Sequence, residues 1–256
     1  LNIGTRLTHG KGCGGDMTIG ASAGLDVNSK GFLDGQGTSG GSANRNVGGA
    51  HGGYPAYTSK DNPSNTPPYG SFRNPVTIGS GGGLYASSAG GGAIRLTVGG
   101  ALTLAEGCLL DARGQYNSGN YNAAGGSVSI TARSISGGGT ITADFGLDTI
   151  PKNAGSGGGG GRISIILTGQ GTDFSDLTAT VSAKGGCGYD MSSTGGTIYY
   201  ETKADGEYGG RLVIDGMSSR NGTVPASAPS RNFDLATYVT DGGDLTSIKE
   251  FVLRDH

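Results

Sequence analysis

The chain has 256 residues, of which 55 are glycine, and 18 basic against 20 acidic residues give a net charge of −2. So much glycine excludes a helical protein, because each glycine inside a helix costs about 1 kcal/mol relative to alanine. The near-neutral charge argues against an intrinsically disordered chain and offers no electrostatic footprint for nucleic acid or an anionic membrane. No apolar run approaches the roughly 20 residues of a membrane-spanning helix, so membrane insertion is not expected. The chain begins with Leu1 and has no basic and apolar leader, so we expect an internal fragment or a processed mature chain.

The first part of the chain predicts two short strands followed by a long loop. Met17 and Ile19, then Leu25 and Val27, have the two-residue spacing of strands. From residue 34 to 83 this pattern dissolves into glycine, serine, asparagine, proline and tyrosine. Loops of this length are uncommon in compact domains and are usually functional or disordered. We therefore predict a long inserted loop over residues 34–83.

A repeat of about 35 residues follows the loop. Each copy opens with a glycine pair and an alternating apolar run, whose anchor residues lie 34, 35 and 35 positions apart: Ile94, Val128, Ile163 and Ile198. Leu96 and Val98 continue the alternation in the first copy, as in a half-buried strand. Two further short apolar segments follow in each copy. Three short strands in about two dozen residues form one coil of a parallel β-helix, so we predict one all-β solenoid domain over residues 1–256.

The glycines and alanines of the repeat predict how the coils stack. One coil cannot bury its apolar side alone, so its stability must come from neighbouring coils. The glycine pairs, and the run at 157–161, are expected to let the backbone pass close to a neighbouring coil. Ala112, Ala143 and Ala183 recur on the third strand, which indicates a narrow corner of the cross-section.

The last part of the chain predicts a continued solenoid. Leu212 and Ile214 are predicted to continue the helix, and apolar residues between 235 and 253 predict one more coil after a loop near 216–232. The chain stops just after a strand without an obvious polar cap. We therefore expect further coils in the parent protein.

The repeat segments resemble a known group of proteins. They are similar to the glycine-rich right-handed parallel β-helix repeats of large secreted and cell-surface proteins, both bacterial adhesin-like proteins and plant glycine-rich surface proteins, in these segments: 91–98, 157–165, 195–198 and 209–214, with the shorter elements 51–53 and 69–71. The resemblance implies a right-handed, single-stranded β-helix and an extracellular or cell-surface location. The group has no agreed activity, so the resemblance transfers no catalytic residue.

The long loop holds the richest set of aromatic and titratable residues in the chain. The candidate ligand-binding residues are His51, Tyr54, Tyr57, Lys60, Tyr69 and Arg73. Tyrosine rings can stack on sugar rings, and lysine or arginine can bind acidic groups. The alternative is structural: the loop folds over the side of the solenoid, and its tyrosines cover apolar surface.

Carboxylates on the predicted third strands form a second set of candidates. Asp26, Asp111 and Asp144 lie on or next to these strands, so a row of carboxylates along the solenoid would suit a glycosidase. The alternative for these residues is turn formation. A carbohydrate-active module would have a groove along one face of the solenoid, lined by outward residues such as Arg95, Tyr199 and Glu201 or by the loop tyrosines.

Metal and disulfide signals are sparse. Cys13, Cys108 and Cys187 match no zinc spacing, so we interpret the cysteines as small buried apolar residues. The segment 13–16 is one short match to calcium-binding repeats, which leaves a structural calcium open and predicts no other cofactor.

Two functions are therefore compatible with the sequence. The regular repeat, the low charge and the lack of a recognisable catalytic set favour a structural or adhesive segment of an extracellular or cell-surface protein, without catalysis. Its expected partners are extracellular polysaccharide or further coils or copies of itself, and not nucleic acid. The alternative is a carbohydrate-active module that binds polysaccharide or acts as a β-helix lyase or glycosidase.

Overall fold

The structure is a computed structural model that describes residues 4–9, 15–38, 47–56, 67–83, 88–117, 121–146, 149–150, 157–186, 193–216, 219–220 and 245–254. Side chains are described in these ranges except at 4–9, 149–150, 219–220 and Leu245. The regular elements of the described residues are strands, apart from a 3-10 turn at Leu245–Ser247. The strands are β1 (Gly4–His9), β2 (Met17–Ile19), β3 (Gly24–Asp26), β4 (Ala93–Val98), β5 (Ala101–Leu104), β6 (Leu109–Asp111), β7 (Ser127–Ala132), β8 (Ser134–Gly137), β9 (Thr140–Thr142), β10 (Thr149–Ile150), β11 (Arg162–Leu167), β12 (Thr180–Ser182), β13 (Thr197–Glu201), β14 (Arg211–Ile214), β15 (Ser219–Arg220) and β16 (Glu250–Leu253).

Fourteen of these strands stack into three sheets that run along a solenoid, and β10 and β15 pair separately in parallel. The first sheet has the order β1-β4-β7-β11-β13-β14-β16, the second β2-β5-β8, and the third β3-β6-β9-β12. From β1 to β9, each coil contributes one parallel strand to each sheet. In the first sheet Ile94 pairs with Val128, Val128 with Ile163, and Ile163 with Ile198. The predicted parallel β-helix and its period of about 35 residues are confirmed.

The core fills the inside of the solenoid. The inward residues of the first sheet, such as Ile94 and Leu96, form one buried cluster with Leu102 of the second sheet and Leu110 of the third. Equivalent residues stack from coil to coil at the strand spacing of about 4.8 Å. Burial of each such side chain stabilises the fold by about 1.5–3 kcal/mol, which one isolated coil would not obtain.

Glycine is required where one coil passes over the next. A Cβ added at Gly126 would overlap the carbonyl oxygen of Gly92, and one added at Gly161 would overlap that of Gly126. The same residues donate backbone hydrogen bonds inward: Gly126 N–H to Ala112 and Gly161 N–H to Ala143, at 2.7 and 2.8 Å. The prediction of close backbone approach at the glycine pairs is therefore confirmed. We call these stacked positions the glycine column.

The solenoid changes direction after β13. Leu212 and Ile214 lie in the first sheet, but β14 pairs antiparallel with β13, so the prediction that these residues continue the helix in parallel is wrong. The cause is the short connection at 202–210. At the start of this connection, the Asp205 carboxylate accepts hydrogen bonds from the backbone N–H and the hydroxyl of Thr202. Near its end, Tyr208 adopts a left-handed backbone conformation, with a φ of 63°. A connection this short reverses the chain, whereas a parallel crossover needs a dozen or more residues.

The final strand, β16, pairs in parallel with β14. Ile248, just before it, is buried with Leu212 and Ile214, whereas Phe251 is 43% exposed. The remaining residues predicted for a last coil, at 235–244, lie outside the described part of the chain.

The long loop lies over the outer face of the first sheet. Its described parts, at 34–38, 47–56 and 67–83, contain no strand. The backbone N–H of Gly52 donates to the carbonyl oxygen of Gly160, just before β11, at 2.9 Å. The loop therefore buries outward side chains of the first sheet, which in most solenoids would face solvent.

Candidate functional site

His51 is enclosed between the long loop and the first sheet. Its Nδ1 lies 2.9 Å from the carbonyl oxygen of Gly125, so Nδ1–H donates, and its Nε2 accepts from the Thr77 hydroxyl at 2.8 Å. Complete burial, aided by the nearby charge of Arg162, lowers the pKa of His51 to about 3. The imidazole is therefore neutral at physiological pH and holds the loop in place.

Tyr69 has a similar position. Its hydroxyl donates to the carbonyl of Ile78 at 2.7 Å and lies 2.9 Å from the Ser80 hydroxyl, and burial raises its pKa. The rings of Tyr69 and His51 lie 4.8 Å apart. Arg162, fully buried, donates from Nε to the Tyr69 carbonyl at 2.8 Å. The Arg162 bond ties the loop to the sheet beneath it, and the hydroxyl bonds of Tyr69 hold the loop together.

Arg73 forms one hydrogen-bond network with Glu201 and Tyr199, two residues that the sequence placed in a different candidate groove. Its Nε and Nη2 donate to both carboxylate oxygens of Glu201 at 2.7 Å, and the Tyr199 hydroxyl donates to the same carboxylate at 2.8 Å. Glu201 is the main cause of a raised pKa at Arg73. Because Glu201 is buried, this bidentate pair is a stronger contact than an exposed ion pair.

The other loop candidates divide into two groups. Tyr54 is half-buried, and its backbone N–H donates to the Thr194 hydroxyl at 2.7 Å. Tyr57 and Lys60 lie outside the described residues. Ligand binding by the six loop residues stays a prediction. In this structure the four described ones make contacts that fasten the loop to the solenoid.

The carboxylates of the third sheet form part of the expected row. Asp26 and Asp111 pair in register on neighbouring strands, and each accepts the backbone N–H two residues further on, at 2.8 and 2.9 Å. This bond is that of a turn former. Asp144 differs, because it accepts the backbone N–H of Lys184 on the next coil at 2.5 Å. Burial, with a smaller effect of nearby Asp215, raises the pKa of Asp144 to about 6.

Asp144 lies in a groove of about 490 Å³ on the outer face of the third sheet. We call this the third-sheet groove. Four hydroxyl side chains, three basic side chains and two carboxylates line it: Thr140, Thr142, Thr180, Ser182, Arg113, Lys184, Arg254, Asp144 and Asp215, with Leu109 and Val181. Such a lining can bind sugar hydroxyls and anionic groups together.

Backbone bonds fix the order of the charged groups in the third-sheet groove. Gly114 N–H donates to the Asp144 carbonyl and Phe145 N–H to the Lys184 carbonyl, which places Arg113, Asp144 and Lys184 in register on successive coils. Asp215, just after β14 of the first sheet, accepts the backbone N–H of Ala183 at 2.6 Å and lies 3.8 Å from Arg254. Charges of both signs therefore lie side by side in the groove.

Sequence reasoning missed most of this groove. Arg113, Asp144 and Lys184 each follow one of the recurring alanines of the third strand, and that offset was the available signal. Asp215 and Arg254 had no such signal, because the hairpin that positions them was not expected.

The described part of the chain holds no group of three histidine, cysteine or acidic residues that could bind a metal ion. Cys108 is a buried free cysteine, while Cys13 and Cys187 lie outside the described ranges. Asp16 accepts the backbone N–H of Ala101 at 2.8 Å. No helix among the described residues is long and apolar enough to cross a membrane.

No protein-family model matches the sequence, and no curated protein or solved structure matches it significantly.

Proposed function

We propose that the chain is a structural and adhesive segment of an extracellular or cell-surface protein, which acts by rigid reach and contact and not by catalysis. One observation carries this proposal. Titratable side chains of the long loop are used in holding the loop: His51 bonds to Gly125 and Arg73 to Glu201 of the solenoid, and Tyr69 bonds to Ile78 within the loop. Groups used in this way hold a shape and are not presented to a substrate.

The packing also supports a rigid rod. The glycine column leaves no space between coils, and interiors packed in this way resist compression. The expected partners are extracellular polysaccharide or further copies of the chain, and no cofactor beyond a structural calcium is proposed.

A carbohydrate-active module is the second candidate, and the third-sheet groove is the observation that favours it. Asp144 and Asp215 both line the groove, and burial raises the pKa of Asp144 to about 6. A glycosidase needs two carboxylates in different protonation states. Non-catalytic polysaccharide binding would use the same lining.

Incubation with acidic and neutral polysaccharides separates the two candidates. The purified chain would be scored for shortened polymers and for new reducing or unsaturated ends. We expect no product. A product that disappears in Asp144→Asn but persists in Asp173→Asn, an exposed carboxylate, would replace the adhesive function with catalysis in the groove. A product lost on Arg73→Gln would place catalysis in the long loop.

A further inference from the structure

Two cations of the third-sheet groove lie two strands apart. Arg113 and Lys184 are separated by the strand that carries Asp144, whereas Arg254 reaches β12 from the first sheet and donates from Nη1 to the Val181 carbonyl. Two strand spacings correspond to about 9.5 Å, which is the interval between Arg113 and Lys184 along the solenoid. Lys184 is half-buried, and the Arg113 and Arg254 side chains are 27% and 39% exposed.

The guanidinium groups are held at the sides of the groove. Arg113 donates from Nε and Nη2 to the Asp111 carboxylate at 2.7–3.1 Å, and Arg254 donates from Nη1 to the Val181 carbonyl at 3.2 Å. Side chains fixed in this way lose little further freedom when they bind a ligand.

We infer that the third-sheet groove binds an acidic polysaccharide that lies along the solenoid axis and carries one carboxylate on every second sugar. The interval between cations is comparable to the length of an extended disaccharide. Arg113 and Lys184 would each bind one carboxylate. The inference deepens the proposed adhesive function and rests on it.

The floor of the groove suits the neutral sugar between two uronates. Thr140 and Thr180 stand in register on neighbouring strands and keep solvent contact, whereas Thr142 and Ser182 pair in the same way but are only 3% and 8% exposed. The Ser182 hydroxyl donates to Asp144 at 2.9 Å, which orders this part of the floor. Hydroxyl rows of this kind can donate to and accept from sugar hydroxyls.

Other anionic polymers fit the groove less well. An extended acidic peptide places like-facing side chains about 6.8 Å apart, which does not match the interval between the cations. Amides at the groove are already used, since Ala183 N–H donates to Asp215 and Lys184 N–H to Asp144, so a peptide strand gains few of the main-chain bonds of strand addition. Among the described residues that line the groove there is no aromatic side chain on which a nucleic-acid base could stack.

Titration calorimetry tests the inference with defined polymers. The probes are hyaluronan oligosaccharides (glucuronate on every second sugar), polygalacturonate oligosaccharides (a carboxylate on every sugar), dextran and poly-glutamate, each at low and physiological salt. The variants are Lys184→Gln and, as the matched control, Lys203→Gln, which removes one exposed lysine outside the groove. Circular dichroism and melting temperature verify that both variants fold.

We expect hyaluronan to bind best and to weaken with salt, as ion pairing requires. Lys184→Gln should weaken this binding about tenfold, the effect of losing one charge-assisted contact, while Lys203→Gln changes it less than about twofold. Equal effects of the two variants, or equal binding of dextran, would overturn the inference. Preferred binding of polygalacturonate or poly-glutamate would overturn the ligand class.

Failure of this inference and failure of the proposed function give different experimental results. If hyaluronan binds but Lys184→Gln has no effect, the groove is not the site, while adhesion through another face stands. If no polymer binds at low salt, the inference is overturned, and the product assay alone then decides between adhesion and catalysis.

Discussion

The outer faces of the first and third sheets belong to the same coils but have different surroundings. On the first sheet the long loop covers the outward side chains, so that Arg162, Ser164 and Tyr199 are fully buried. On the third sheet Asp144 is also buried, but Lys184 and Arg254 remain partly exposed at the edge of a groove. Basic residues therefore fasten the fold on one face and keep contact with solvent on the other.

The covered face also shows why polar residues can be buried without a large cost. Arg162 donates to the Tyr69 carbonyl and to the Thr197 hydroxyl at 2.8 and 3.1 Å. A buried polar group destabilises a protein mainly when its hydrogen bonds are unmade. The loop supplies the Tyr69 carbonyl and β13 supplies the Thr197 hydroxyl, so the burial of Arg162 depends in part on the loop.

The largest effect is expected from the glycine column, on which both faces depend. Gly126→Ala would place a Cβ against the Gly92 carbonyl, backbone against backbone. We expect a loss of at least about 5 kcal/mol, comparable with the whole stability of a typical domain, and therefore little soluble protein. Gly20→Ala is the control, because no atom lies within 4 Å of its added Cβ. Urea unfolding that found the two variants alike would refute the role of the column.

Acid should weaken the covered face through His51. Its pKa is about 3 in the folded state, against an ordinary 6.5. Between pH 6.5 and 3 the unfolded chain therefore binds more protons, and stability falls as the pH falls, by on the order of 4 kcal/mol in total. His51→Gln should remove this slope from a plot of urea midpoint against pH. An unchanged slope would mean that His51 is not the buried neutral base described.

The open face should respond to pH with the opposite sign. The pKa of Asp144 is about 6 in the folded state, against an ordinary 3.8. Between these values the folded chain binds more protons, so Asp144 adds stability as the pH falls, on the order of 3 kcal/mol in total. Relative to the wild-type chain, Asp144→Asn should therefore lose stability more steeply between pH 6 and 4, measured by the same urea midpoints. Parallel pH curves would contradict this.

A smaller loss of stability is expected where the long loop contacts β13. Glu201→Gln leaves Arg73 without its bidentate partner, and we expect a loss of about 2 kcal/mol, since Arg73 keeps some solvent contact. Glu207→Gln is the control, because the Glu207 side chain is 70% exposed and should contribute less than about 0.5 kcal/mol. Thermal unfolding of both variants measures the difference. Equal shifts would indicate that the loop is held elsewhere.

The sequence predicted the parts of the fold that repeat. Alternation at Ile94, Leu96 and Val98 and the period of about 35 residues were enough to predict the solenoid, because each coil meets the same packing problem. The hairpin before Leu212 was missed. Its direction depends on the length and bonding of one turn, and strand alternation carries no such information.

The candidate site was predictable in part for a related reason. Asp144 was found because carboxylates are conspicuous, and Arg73 and Glu201 were found separately because no pattern showed that they meet. A salt bridge across 128 positions depends on how a non-repeating loop folds back. Local periodicity does not determine such a contact.

The course of the long loop has a consequence for how the molecule unfolds. Within four residues, His51 bonds to Gly125, Gly52 and Gly53 to Gly160, and Tyr54 to Thr194, so three consecutive coils are bridged by one segment. In a simple solenoid each coil interacts only with its neighbours, and the ends can fray one coil at a time. Here a coil cannot separate from the stack unless the bridging segment detaches from all three. These coils should therefore unfold in a single cooperative step. A solenoid that unfolds in this way resists a force applied at its end better than one whose coils detach singly.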